Sequence, residues 1–192
     1  MPPKVKITRQ DILKTALALL KTDGNGAINA RNLAAALSCS TQPIFSNFAS
    51  MEELDEAIKQ EAYTRYLSFI QSEIESEKYP KYKAFGMAYI RFAKEEKELF
   101  KLLFMCERED KDLSPSADFK ASVDMLMEQN GITREKAELM HLEMWACTHG
   151  IGAMLATSFL SLDEELISRI LTDIYQGLRA RIITEEVYDA CH

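Results

Sequence analysis

Not one Asp or Glu stands between Gly24 and Met51, although the 192-residue chain carries 30 acids and an even spread would place about four there. Whatever this stretch approaches, a carboxylate would spoil the contact. Turn formers are scarce as well. Seven Gly and five Pro, beside nine Met, argue against a turn-rich β fold and favour helices. The four cysteines, Cys39, Cys106, Cys147 and Cys191, form no C-x-x-C pair. That spacing fits reduced thiols in a cytosol and excludes both a disulfide framework and a zinc site as expectations. No apolar run follows the opening MPPKVK, so the expected location is cytoplasmic.

What is present is unevenly charged. Residues 1–50 hold six cations and two acids, a balance of +4, whereas residues 51–192 hold 17 cations and 28 acids, a balance of −11. The chain therefore divides into a basic head, 1–50, and a larger acidic body, 51–192. An acidic body argues against general affinity for nucleic acid or anionic membrane, but a basic face can still meet phosphates locally.

In the head, TRQDILKTALALLKTDGNG carries Ile12, Leu13, Ala16, Leu19 and Leu20 at helical spacing, with Thr8 and Asp11 at its start. A second helix of about two turns follows in NARNLAAALS, with Asn29 as its N-cap. After a short break, STQPIFSNF reads as a third helix, because Pro43 falls in its first turn, where the missing N–H has no intrahelical partner. SMEEL then opens a long helix with a capping box, Ser50 and Glu53. Two short helices joined tightly and packed on a first one make a helix-turn-helix. Its second short helix is the one that enters a major groove. Neutral side chains there, Thr41, Gln42, Ser46 and Asn47, can read bases where a carboxylate would face a row of phosphates. Lys4, Lys6 and Arg9 supply sequence-independent attraction.

On the residues ILKTALALL, GNGAINARNLAAAL, SCSTQPIFSNF and SMEEL, the span Thr8–Leu54 resembles the N-terminal domain of the TetR/AcrR family of transcriptional regulators. The resemblance implies a dimeric DNA-binding repressor whose C-terminal domain binds a small effector. The candidate DNA-binding set is Lys4, Lys6, Arg9, Asn29, Arg31, Ser40, Thr41, Gln42, Phe45, Ser46 and Asn47. Three positions depart from the family pattern: Ser38 stands for the usual turn glycine, Phe45 for the usual Tyr and Met51 for the usual Lys.

The body reads as further helices, giving an all-α fold of about nine. The constellation Trp145-x-x-x-His149-Gly150 resembles the Trp-His-Gly C-terminal domain of a subset of these regulators, with Gly150 and Gly152 admitting another backbone. Clustered aromatics and methionines place a hydrophobic or aromatic effector among Phe85, Tyr89, Phe92, Phe104, Met105, Met144, Trp145 and His149. The segment TREKAELMHLEMWACTHGIGAMLATSFL is apolar on nearly all sides, yet His141, Glu143 and His149 within it argue against a membrane span. Burial on nearly all sides is expected instead. This helix and the last one predict a four-helix bundle between two copies, through Ile151, Leu155, Phe159, Ile167, Ile170, Leu171, Ile174 and Leu178. No enzyme, metal or cofactor chemistry is expected, since His141 and His149 lack the i,i+4 spacing of helical zinc ligands. Two other functions fit less well: a scaffold or ligand-binding protein whose head contacts another protein, and a thiol sensor acting through Cys39.

Overall fold

The computed structural model describes residues 7–107 and 117–191, with side chains over 7–107 and 119–184. Lys4, Lys6 and most of the charged stretch REDKDLSPSA lie outside the described residues. Nine α-helices and no strand occur among the described residues, in the order α1 (Arg9–Asp23), a 3-10 turn (Asn25–Ala27), α2 (Ala30–Ala36), α3 (Gln42–Asn47), α4 (Met51–Glu75), α5 (Lys81–Glu95), α6 (Lys97–Phe104), α7 (Ala117–Asn130), α8 (Arg134–Ala156) and α9 (Glu164–Cys191). No helix of the described residues is long and apolar enough to cross a membrane.

These helices form two compact units, and the division differs from the expected boundary at residue 50. The first unit is 1–67 with 96–106; the second is 68–95 with 107–192. Two facts move the boundary. α4 starts at Met51 and continues without a break to Glu75, and its first half buries Leu54 and Ile58 completely. α6 also joins the head, contributing Leu99 and Phe100 to the core beside Ile12, Leu20, Leu33, Ile44 and Phe48. Burying each such side chain contributes about 1.5–3 kcal/mol. Just before α6, Glu96 is buried and accepts from two cations, Lys21 of α1 at 2.7 Å and Arg65 of α4 at 3.1 Å.

The second unit is built on α5, α7, α8 and α9. Met87, Ile90, Leu126, Met140, Ile151 and Leu171 are among its buried residues. α5 approaches α8 and α9 closely at Gly86, where an added Cβ would lie 3.4 Å from Leu171 and 3.8 Å from Thr148. The expected close approach at Gly150 is not found, because an added Cβ there meets open space. Two pairs fix the direction of α5 against α8. Tyr82 meets His141 and Tyr89 meets His149, so the two helices run parallel.

Candidate functional site

The head's polar residues fall into those that build the helix-turn-helix and those left facing outward. At the start of α1, Thr8 is the expected cap, and with Asp11 it forms a full capping box: the Asp11 amide donates to Thr8 Oγ1 at 3.2 Å, and the Thr8 amide donates to the carboxylate at 2.9 Å. The bonds from Thr8 hold the Asp11 carboxyl below its ordinary value. Asn29 caps α2, accepting from the amides of Arg31 and Asn32. Between α2 and α3 the chain turns at Ser38, whose φ of 52° lies in the left-handed region that favours glycine. A side chain is tolerated there because Ser38 is exposed. Pro43 sits in the first turn of α3, as expected, and Thr41 is the N-cap, without a capping bond from its hydroxyl.

Arg9 has a second occupation. Its Nη1 donates to the main-chain carbonyl of Asn47 at 2.7 Å and to Glu53 at 2.8 Å, and its guanidinium lies 3.9 Å from the centre of the Phe48 ring. The carboxylate of Glu53 also accepts from the Ala49 amide at 2.6 Å, while its own amide donates to Ser50 Oγ at 3.3 Å. The Ser50 half of the expected capping box is in register, and the reciprocal half is shifted back by one residue to the Ala49 amide. The Ala49 amide and then Arg9 hold the Glu53 carboxyl below its usual range. The Asn47 side chain donates to the Pro43 carbonyl at 2.8 Å and is half-buried. Arg9, Asn29 and Asn47, three of the expected DNA contacts, are thus already engaged inside the head. Arg31, Ser40, Gln42, Phe45 and Ser46 remain exposed, and Thr41 is half-buried. Cys39 is half-buried beside the turn.

The effector residues are not all brought together. Phe104 and Met105 belong to the first unit, where Phe104 lies edge-on to Tyr66 at 5.2 Å and Met105 is exposed. The other six belong to the second unit. Phe92 is fully buried against Phe69, and Met144 is buried. Phe85 is half-buried. Trp145 is 37% exposed and stacks on His149 with ring centres 5.2 Å apart, and the Tyr89 hydroxyl lies 2.8 Å from His149 Nδ1. Burial lowers the pKa of His149, and it lowers that of His141 more, to about 4. Burial raises that of Tyr82, so its hydroxyl keeps its proton, and it lies 3.0 Å from Nδ1 of neutral His141. Burial also raises Cys147, which makes it a poor nucleophile. No cluster of three or more His, Cys, Asp or Glu able to hold a metal occurs among the described residues.

Of the expected interface residues, Ile151, Leu155, Ile167 and Leu171 are buried in the core of their own chain, and Ile170, Ile174 and Leu178 pack against it. They face inward because the apolar stripe of α9 closes over α5 and α8. Phe159 alone of that set is open, at 76% exposure. α8 is not buried on nearly all sides in the single chain, since Leu139, Leu142 and Trp145 are exposed. Spacing did not point to Glu96, because nothing local separates it from the acids around it.

Most of the chain resembles solved structures. A candidate TetR-family transcriptional regulator from Vibrio parahaemolyticus aligns with a TM-score of 0.62 at 14% identity, covering 88% of this chain and 96% of that one. A protein of unknown function from Rhodococcus sp. RHA1 gives 0.66 at 20% identity, covering 95% and 99%. A TetR-like transcriptional regulator from Rhodococcus sp. RHA1 gives 0.58 at 15% identity, covering 96% and 98%. No family model and no curated protein matches the sequence. The chain has the TetR-like all-helical fold.

Proposed function

We propose that this protein is a DNA-binding transcriptional regulator, a repressor that acts as a homodimer and is released from its operator by a small hydrophobic or aromatic effector. One observation carries the reading. The outward face of α3 presents Gln42, Phe45 and Ser46 on a helix-turn-helix surface free of carboxylates from Gly24 to Met51. Neutral side chains on the second short helix are what a major groove accepts without charge repulsion. The test is selection of duplexes from a random pool by the full chain. A palindromic site whose affinity falls steeply with salt supports the reading, and a protein that retains no duplex in dilute buffer ends it.

Dimerisation is supported by residues other than most of those expected. Leu139, Leu142 and Trp145 on α8, with Phe159, Leu160 and Leu166 beyond it, are apolar and exposed in one chain. Two copies meeting there would set two α3 helices against paired half-sites.

The effector reading rests on the second unit alone. Trp145, His149 and Tyr89 combine an aromatic face with a neutral hydrogen-bonding pair, and Trp145 and His149, with Gly150, carry the likeness to the Trp-His-Gly subset. A neutral, mostly apolar ligand suits them better than a charged one. By linkage, an effector that favours another dimer geometry weakens DNA binding by the same factor that DNA weakens its own. A thermal-shift screen in which only strongly charged metabolites raise the Tm would overturn this choice of ligand.

A further inference from the structure

Phe45 is a costly residue to leave in water. It is 49% exposed on a six-residue helix whose other large apolar residue, Ile44, and whose C-cap, Phe48, are almost completely buried. Its ring pairs with no aromatic or cation among the described residues, in contrast to Phe48, which stacks under Arg9. On α3, Gln42 and Ser46 are exposed beside Phe45. The Ser46 hydroxyl donates its hydrogen to the Gln42 carbonyl at 2.9 Å, so its oxygen is left as an acceptor. The Gln42 amide group has no such commitment. Across α2 and α3 the one charged side chain is Arg31, and α3 itself has no Arg or Lys.

Those features select a base pair. The commonest reader of guanine is an Arg or Lys reaching O6 and N7, and α3 offers neither. Gln can pair with the N6 and N7 edge of adenine, and an acceptor such as Ser46 Oγ suits an exocyclic amine. The major groove has one apolar feature, the 5-methyl group of thymine. We propose that Phe45 determines specificity for thymine, packing its ring on a 5-methyl group, with Gln42 one turn away reading a neighbouring adenine. The operator half-site under α3 is therefore A·T. Three residues apart on a helix, the two side chains lie about 5–6 Å apart at Cβ, within reach of adjacent base pairs.

This rests on the DNA-binding reading, and the test separates the two. The full chain selects its site from random duplexes, and each thymine of that site is then replaced singly by deoxyuridine, which removes only the methyl group. One or two positions per half-site should lose about three- to tenfold in affinity. Phe45→Ala should bind the thymine site more weakly and lose the sensitivity to deoxyuridine, while Phe45→Leu retains part of it. Far-ultraviolet circular dichroism and thermal unfolding of both variants should match the native chain, because the residue is exposed. Binding that tolerates deoxyuridine everywhere overturns the role of Phe45 and leaves DNA binding standing. Equal deoxyuridine sensitivity in native and Phe45→Ala proteins also overturns it. Failure to select any duplex overturns both.

Discussion

The outer faces of α3 and α8 are both uncovered in a single chain, and they are made of opposite materials. α3 shows neutral polar groups around one aromatic ring, on a surface without acids. α8 shows Leu139, Leu142 and Trp145. A partner for α3 must supply hydrogen bonds and tolerate a basic neighbourhood, whereas a partner for α8 need only be apolar and complementary. Inside the units the materials differ less. Both units hold a charged pair on a buried acid, Glu96 with Lys21 in the head and Glu73 with Arg91 in the second unit, but only the second unit adds neutral tyrosine–histidine pairs beside its methionines.

The sharpest break of this contrast lies within α3 itself. Phe48→Ala removes a ring that is 1% exposed and should lower the unfolding free energy by about 3–5 kcal/mol in a urea titration, whereas Phe45→Ala should change it by less than about 0.5 kcal/mol. If both lose equally, the two faces of α3 are not distinct.

Acid should act on the second unit before the first. The folded pKa of His141 is lowered to about 4 from an ordinary 6.5, because burial disfavours the charged ring. The unfolded chain therefore binds more protons as pH falls below 6.5, and stability is lost between there and about 4. From pH 7 to pH 5 the loss is at most about 2 kcal/mol, less if solvent screens the half-exposed ring. His149 adds in the same direction. The lowered carboxyls of the head, Asp11, Glu52 and Glu53, have stability to lose only below their unfolded values, at lower pH. His141→Gln should flatten the pH 5–7 slope in denaturant titrations; an unchanged slope would assign it elsewhere.

Ser38→Gly should stabilise the protein by about 1 kcal/mol, read as a raised Tm, because it relieves a left-handed backbone that a side chain resists. Smallest in stability is Leu142→Glu, within about 0.5 kcal/mol for the isolated chain, since the side chain is already 37% exposed. Its effect should appear in sedimentation, as a shift from dimer to monomer. A variant that stays dimeric moves the interface away from this face of α8.

Much of the architecture was legible from local spacing. Thr8 with Asp11, Asn29, and Pro43 in the first turn of α3 mark helix starts within four residues of where they act, and the structure places them so. The left-handed turn was legible at Ser38, where the glycine of the resembled family is missing. Pairings across long separations were not legible. Arg9 reaches a carbonyl 38 residues away, and Glu96 joins Lys21 and Arg65 from a run of similar acids. Periodicity says which side of a helix is apolar, but not whether its own chain or a partner covers it. That is why Ile151, Leu155, Ile167 and Leu171 were expected at an interface and are found in the core, and why α6 with Phe104 was expected in the body and is found with the head.

The grip of Arg9 on α3 is a grip on main chain, through the carbonyl of residue 47, and on the ring of Phe48 beneath it. Neither depends on which side chains stand at positions 41, 42, 45 and 46. The helix is thus seated like an interchangeable bit in a fixed chuck: its outward positions can be rewritten without unseating it, provided Ile44, Phe48 and the arginine over the Phe48 ring are left alone.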